Sequence, residues 1–172
     1  MTSTVVTDET QIRDVLARLV TGMRAGDVEG LIARFTPDVV QYSLAPPLRQ
    51  TGARDADGLA AWFGTFDGPI DYDITELEVF VGGDIAYAHG IARLTATPVG
   101  MTESFTLWFR LTVGLRRTGE GWKVETSTSR CPSTWTARSG RRSIWSREPR
   151  QLTQPCGCNS VAIARLLLEE ER

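Results

Sequence analysis

The chain has 172 residues, of which 41% are hydrophobic and 23% are charged, a composition typical of one soluble globular domain. Its formal net charge of −2 is unevenly spread, because residues 1–129 hold 17 acidic and 11 basic side chains, whereas residues 130–172 hold 4 and 8. This acidic body has no clustered positive patch, and no apolar run is long enough to cross a bilayer, so we expect neither nucleic acid nor a membrane as a partner.

The three cysteines lie near the C-terminal end, at Cys131, Cys156 and Cys158. Their spacing does not suit a zinc site, and the chain has a single histidine to complete one, so we expect neither a metal nor a cofactor. An odd number of cysteines and a polar N-terminal stretch without an apolar segment favour a cytoplasmic protein.

The first third of the chain predicts three helices. Apolar residues recur every three or four positions from Ile12 to Met23, after cap residues at positions 7–10, and this helix should end near Gly26. A second, short helix is expected over residues 28–35 and a strand over residues 39–44, followed by a loop with two prolines. A third helix should follow, with Asp55 or Asp57 as its cap.

From residue 70 onwards the apolar period changes to two, which predicts strands over residues 70–81, 85–98 and 103–117, with another beginning at residue 122. An offset near Thr75 and Glu76 predicts a β-bulge, and the glycines at 82 and 83 predict a turn. Helices followed by consecutive antiparallel strands indicate an α+β fold.

The segments "AGDVEGLIARFTPDVV", "GGDIAYAHG" and "WFRLT" make residues 8–124 similar to the nuclear transport factor 2-like superfamily, and within it to the bacterial ketosteroid-isomerase-related, SnoaL-like group. This resemblance implies a cone-shaped, curved, mixed sheet packed on three N-terminal helices. It also implies a small-molecule pocket at the open end of the cone and a homodimer formed through the open sheet face. We assign residues 1–129 to this domain.

The catalytic residues of the ketosteroid isomerases do not carry over to this chain. Aligning "VVQYSLAPPL" with the isomerase strand places Ser43 at the catalytic base, while the two oxyanion-hole positions fall on Leu19 and near Arg110. A serine without an activating neighbour is a poor proton acceptor, and an arginine cannot act as a neutral donor. Steroid isomerisation by that mechanism is therefore not expected.

The remaining candidates are polar or aromatic residues on otherwise apolar strands. His89 is the candidate general acid or base and Arg110 the candidate anion-binding group. The alternatives are a structural histidine, and an ion pair of Arg110 with Glu103 or Asp38. The candidate pocket residues are Tyr42, Trp62, Tyr87 and Trp108. The alternative is that these aromatic residues only pack in the hydrophobic core.

These residues lead to two functional hypotheses. The first is a protein that acts on or binds a small apolar carbonyl compound without a cofactor, as an isomerase, cyclase or hydrolase would. The alternative is a non-catalytic ligand-binding or dimerisation domain. The scaffold alone does not separate them, because it carries many unrelated activities.

The regular pattern is lost from Glu125 onwards, where the resemblance implies a His-Glu-His segment on the last strand. In a shifted reading frame, each codon takes the third base of one residue's codon and the first two bases of the next. Read in this way, the codons of residues 125–128 permit Asp-Glu-His, and the codons after them permit an ending similar to that of the family. We interpret residues from about 125 as an out-of-frame translation that removes this segment; the alternative is a genuine basic tail. Residues 130–172 are expected to be mostly irregular, with at most a short helix near their end.

Overall fold

In a computed structural model, the structure describes residues 7–44, 48–52 and 55–130. These ranges contain three helices, α1 (Asp8–Ala25), α2 (Val28–Ile32) and α3 (Ala56–Phe63). They also contain six strands: β1 (Phe35–Tyr42), β2 (Arg49–Thr51), β3 (Asp71–Gly82), β4 (Ile85–Ala96), β5 (Phe105–Thr118) and β6 (Gly121–Arg130). The predicted irregular tail and its C-terminal helix lie outside the described residues.

The three helices begin at side chains that satisfy free backbone N–H groups. The Thr7 hydroxyl accepts a hydrogen bond from the Thr10 amide at 3.3 Å, and the Asp27 carboxylate caps α2 in the same way. For α3 the cap is Asp55, the first of the two predicted alternatives, whose Oδ1 accepts from the amide of residue 57 at 3.1 Å. Helix α1 ends at Gly26, where a φ of 65° makes glycine the favoured residue.

The six strands form one mixed sheet in the order β2-β1-β6-β5-β4-β3. Strands β1 and β6 run parallel, and the other neighbours are antiparallel. The N-terminal helices and the strands that follow them confirm the α+β class.

Two details of the predicted elements near β1 are wrong. The strand begins at Phe35, inside the predicted second helix, and residues 49–51 form a strand where a loop was expected. Pro37 is tolerated in β1 because the pairing with β6 is irregular between Phe35 and Val40, so its missing N–H interrupts no regular ladder there.

The predicted bulge in β3 is confirmed. The register between β3 and β4 shifts between Thr75 and Glu78, and Glu76 has a φ of 52°. The bulge brings the backbone of β3 close to Gly90 on β4, where an added Cβ would lie 2.8 Å from the Thr75 carbonyl oxygen. Glycine at position 90 therefore permits the bend.

The apolar core lies on one face of the sheet, which we call the helix-facing side. One cluster joins α1 to the strands through Ile12, Val15, Leu16, Val39, Ala86, Ala88, Val113, Leu115, Trp122 and Val124. A second cluster, built on Phe66, Ile70, Tyr72, Ala92, Leu94, Ala96 and Phe109, packs against Trp62 and Phe63 at the end of α3. The opposite face of the sheet, which we call the open face, carries no described helix.

Candidate functional site

Alternation along β4 determines which face each candidate occupies. Ala88 and Ala92 are fully buried on the helix-facing side, so Tyr87, His89 and the residues that alternate with them face the opposite way. The β4–β5 register pairs His89 with Thr112, Ile91 with Arg110, and Arg93 with Trp108. The predicted grouping of these side chains on one face is confirmed, and that face is the open one.

Tyr42 also lies on the open face. Its register partner on β6 is Thr128, which in turn pairs with Thr112 on β5. Trp62 lies instead on the helix-facing side, where its ring contacts Phe63 and Phe66 at centroid distances of 5.1 Å.

The structure therefore brings five of the six candidate residues to one sheet face and separates Trp62 from them. The four candidate pocket residues therefore do not line one pocket, and His89 and Arg110 lie on the sheet face away from the helices. The alternating pattern predicted which residues share a face. It could not show which face meets the helices, because β5 carries Phe109 on one face and Trp108 on the other.

On the open face His89 belongs to an aromatic stack. Phe80 and Tyr87 stack at 4.7 Å with an interplanar angle of 13°, and the His89 ring lies 5.7 Å from Phe80. Its Nε2 is 3.7 Å from Oε2 of Glu78, and the His89 side chain is 44% exposed. This environment is that of a surface histidine beside a carboxylate.

Arg110 is exposed and faces Arg130 across the β5–β6 pair. Within the described ranges it makes no ion pair, and Asp38 pairs instead with Arg116 at 3.0 Å. The structural ion pairs that were the alternative explanation for Arg110 are thus not formed among these residues.

The helix-facing side has an aromatic wall that the sequence analysis did not single out. Tyr72 is 9% exposed, and its ring centroid lies 6.4 Å from that of Phe109. Trp62 and Leu44 pack against the same cluster, so the chain beyond β1 contributes to this wall. The two-residue period placed Tyr72 and Phe109 on strands but gave no indication that they meet.

A polar group lies on the same side, next to the apolar wall. Gln41 is 6% exposed and is the register partner of Ser127 across the parallel β1–β6 pair. Ser127 pairs with the buried Val113, and Ser129 pairs with Leu111, so both serines face the helices. The alternation of Gln41 with the apolar Val39 along β1 is the signal in the sequence that puts it on this side.

Leu111 lies at the centre of this side and packs against both apolar clusters, yet it stays partly exposed. Ser127 and Ser129 are partly exposed as well, although they lie on the helix-facing side. These partly exposed side chains border the region between the helices and the middle of the sheet, which we call the opening.

The titratable groups with perturbed pKa values lie away from this opening. The Asp8 carboxylate has a lowered pKa because it accepts a hydrogen bond from Arg117, and a second from Trp122. The pKa of Asp38 is lowered chiefly by its own backbone amide, and Arg116 beside it acts in the same direction. In the part of the chain that the structure describes, no three His, Cys, Asp or Glu side chains are grouped so that they could hold a metal ion.

A mixed six-stranded sheet with its N-terminal helices on one side defines an NTF2-like α+β protein. Residues 12–129 match the model of the SnoaL-like domain, and the chain belongs to that family. No curated protein matches the chain. Across residues 7–44, 48–52 and 55–130, no helix has the length and apolar character needed to span a bilayer.

Solved structures agree with this fold. The chain is 28% identical to an NTF2-like protein of unknown function from Pseudomonas putida KT2440, with a TM-score of 0.63 over 72% of this chain and 86% of that one. An NTF2-like superfamily protein from Salmonella enterica is 15% identical, with a TM-score of 0.64 over 80% and 100%. A provisionally assigned scytalone dehydratase from Novosphingobium aromaticivorans is 17% identical, with a TM-score of 0.65 over 73% and 84%. The two more distant similarities concern the fold alone.

Proposed function

We propose that this protein binds a small, mainly apolar carbonyl compound, without a cofactor, in the opening between the helices and the sheet. The observation that carries the proposal is the partial exposure of Leu111, Ser127 and Ser129, which point toward the helices beside the wall of Tyr72 and Phe109. A concave, mostly apolar surface with a few polar groups is the usual form of a small-molecule site.

Binding is favoured over acid–base catalysis for this chain. The polar groups that the described strands direct toward the opening are an amide and hydroxyls, which neither accept nor release protons readily near neutral pH. His89 and Arg110 remain candidate catalytic residues only for a ligand bound on the open face, where Arg110 is exposed and His89 is partly exposed.

The binding proposal is tested with two neighbouring residues on opposite faces of β5. Leu111→Trp should fill the opening, whereas Thr112→Trp places the same indole on the open face. With 2-acetylnaphthalene as the probe in isothermal titration calorimetry, we expect Leu111→Trp to abolish binding and Thr112→Trp to leave it unchanged. Equal effects of the two substitutions would contradict the proposed location.

A second candidate function is that of an isomerase, cyclase or hydrolase. It depends on whether residues from about 125 are an out-of-frame translation that removed catalytic residues. The change of pattern at residue 125 falls within β6, the strand that directs Ser127 and Ser129 toward the opening. A gene with the alternative frame restored from codon 125 would replace these serines. Turnover of a carbonyl substrate by the restored protein, and not by this chain, would support the catalytic reading. Identical behaviour of the two proteins would argue against it.

For the open face we propose self-association into a homodimer. Tyr87 is 49% exposed, Phe80 43% and Trp108 36%, so this face leaves large aromatic groups in solvent. It also carries both signs of charge, with Arg110 and Arg130 in its middle and Glu78 toward its edge. Two copies related by a two-fold axis can bury these rings and pair these charges.

Sedimentation velocity tests the dimer. We expect a dimer for the native protein and a monomer for Tyr87→Glu, because the substitution puts a carboxylate into the aromatic stack. Met101→Glu, at an exposed apolar residue in the β4–β5 connection, is the matched control and should leave the dimer intact. A native protein that sediments as a monomer at every concentration would rule the dimer out.

A further inference from the structure

The polar groups that face the opening are grouped at one end of it. Gln41 lies near the end of β1, and its register partner Ser127 is two residues before Ser129 on β6. The two serines stand beside Leu111 and Val113, which are apolar. The opening therefore has one polar end, on β1 and β6, and an apolar wall on β3 and β5.

These three side chains are of kinds that can hydrogen-bond a ligand oxygen. Gln41 takes part in interactions within the protein, and its carboxamide carries two N–H donors and an acceptor oxygen. The hydroxyls of Ser127 and Ser129 make no hydrogen bond within the ranges that the structure describes. A buried amide beside two half-buried hydroxyls is suited to a ligand oxygen that accepts hydrogen bonds.

In the strands that the structure describes, no positively charged side chain faces the helices at this end. Among the arginines of β3 to β6, the one whose side chain faces the helices is Arg117, and its guanidinium is held by Asp8 at 2.6 Å and Asp84 at 3.1 Å. Arg34, whose Nε is buried, precedes β1 and is separated from Gln41 by most of that strand, about 20 Å. A carboxylate placed beside Gln41 would lose its hydration without gaining a cation.

We propose that Gln41, together with Ser127 and Ser129, is the polar end of the ligand site and selects a neutral carbonyl or hydroxyl oxygen over a carboxylate. This inference rests on the proposed function, since it assigns the residues that recognise the ligand in the same opening. It also removes Arg110 from that recognition, because Arg110 lies on the other face of the sheet.

Three naphthalene probes of similar size test the selectivity by calorimetry at pH 7 on the full chain: 2-acetylnaphthalene, 2-naphthoate and 2-ethylnaphthalene. We expect the ketone to bind about tenfold more tightly than the carboxylate, because an unpaired buried charge is costly. We expect Gln41→Met to reduce the preference for the ketone over the hydrocarbon by about fivefold, the effect of one lost hydrogen bond. Thr106→Ala, at an exposed position on the open face of β5, is the control and should change none of the three affinities.

If Gln41→Met does not fold, as judged by its thermal transition, the Ser127→Ala and Ser129→Ala double variant takes its place with the same expected direction. The inference is overturned if 2-naphthoate binds as tightly as the ketone, or if the preference for the ketone is unchanged in the variants. In those cases the proposed binding site still stands. If none of the three probes binds the native protein, the proposed function fails, and this inference fails with it.

Discussion

The guanidinium of Arg117 lies 4.6 Å from the centre of the Trp122 ring, and both side chains reach the first turn of α1. Nη2 of Arg117 is 2.6 Å from Oδ2 of Asp8, and Nε1 of Trp122 donates to Oδ1 of the same residue at 3.3 Å. These contacts attach the start of the first helix to the β5–β6 hairpin, more than 100 residues away in the chain. They hold the start of α1 against the sheet.

Trp122→Phe tests this attachment. Because the indole is 4% exposed and its N–H donates to Asp8, the substitution removes a hydrogen bond and leaves a small cavity. We expect a loss of about 1–2 kcal/mol in the free energy of unfolding, measured by urea denaturation. Trp108→Phe is the matched control on the open face, where the expected change is within about 0.5 kcal/mol. Equal losses at the two tryptophans would contradict the proposed attachment.

The same contacts predict a dependence of stability on acid pH. The pKa of Asp8 is lowered by the hydrogen bond from Arg117, so its ionised form stabilises the folded state at pH values above the unfolded pKa. As the pH falls from about 4 through the lowered pKa of the folded state, this contribution is lost. Thermal unfolding between pH 6 and pH 3 should show a steeper loss for the native protein than for Asp8→Asn. Parallel profiles would exclude Asp8 as a source of the dependence.

Gly90→Ala should strain the bend of β3. An added Cβ would lie 2.8 Å from the Thr75 carbonyl oxygen, which belongs to the backbone and cannot move without disturbing the bulge. We expect a loss of about 1–3 kcal/mol in unfolding free energy. Gly119→Ala is the control, because nothing lies within 4 Å of a Cβ at that turn position. A variant at position 90 as stable as the control would show that the bulge is not constrained there.

Residues 1–130 should fold without the rest of the chain. Both apolar clusters are built from residues 12–124, and the last described strand ends at Arg130. We expect a protein truncated after residue 130 to unfold cooperatively in urea, with a circular dichroism spectrum of a mixed α and β protein. Non-cooperative unfolding would show that residues 131–172 contribute to the folding unit, and would contradict the proposed domain boundary at 129.

The fold was largely predictable because its signals are local. The apolar period of α1, the change to a two-residue period after Ile70, the glycine turn at 82 and 83, and the bulge near Glu76 each arise from a few neighbouring residues. The errors lie where long-range pairing decides the local structure. Phe35 continues a helical pattern, but it lies in a strand because β1 pairs with β6, about 90 residues later.

The candidate site was predicted less well. The sequence grouped His89 with Tyr87 and Arg110 with Trp108 on common faces, and the register confirms that grouping. It could not show that this face is the open one. The small residues at positions 86, 88, 90 and 92 leave room for the helices and the bulge. In the sequence alone, the larger and more reactive side chains that alternate with them are the stronger candidates for a site.

By itself, the sequence determined the order and type of most elements, the resemblance to the family, and the alternation that divides each strand into two faces. Local periodicity and turn chemistry are properties of adjacent residues, so a single chain reveals them. Only the tertiary structure decided which face meets α1, and that Gln41 and Ser127, 86 positions apart, are neighbours. Such neighbours are created by parallel strand pairing, which leaves no periodic mark in the sequence.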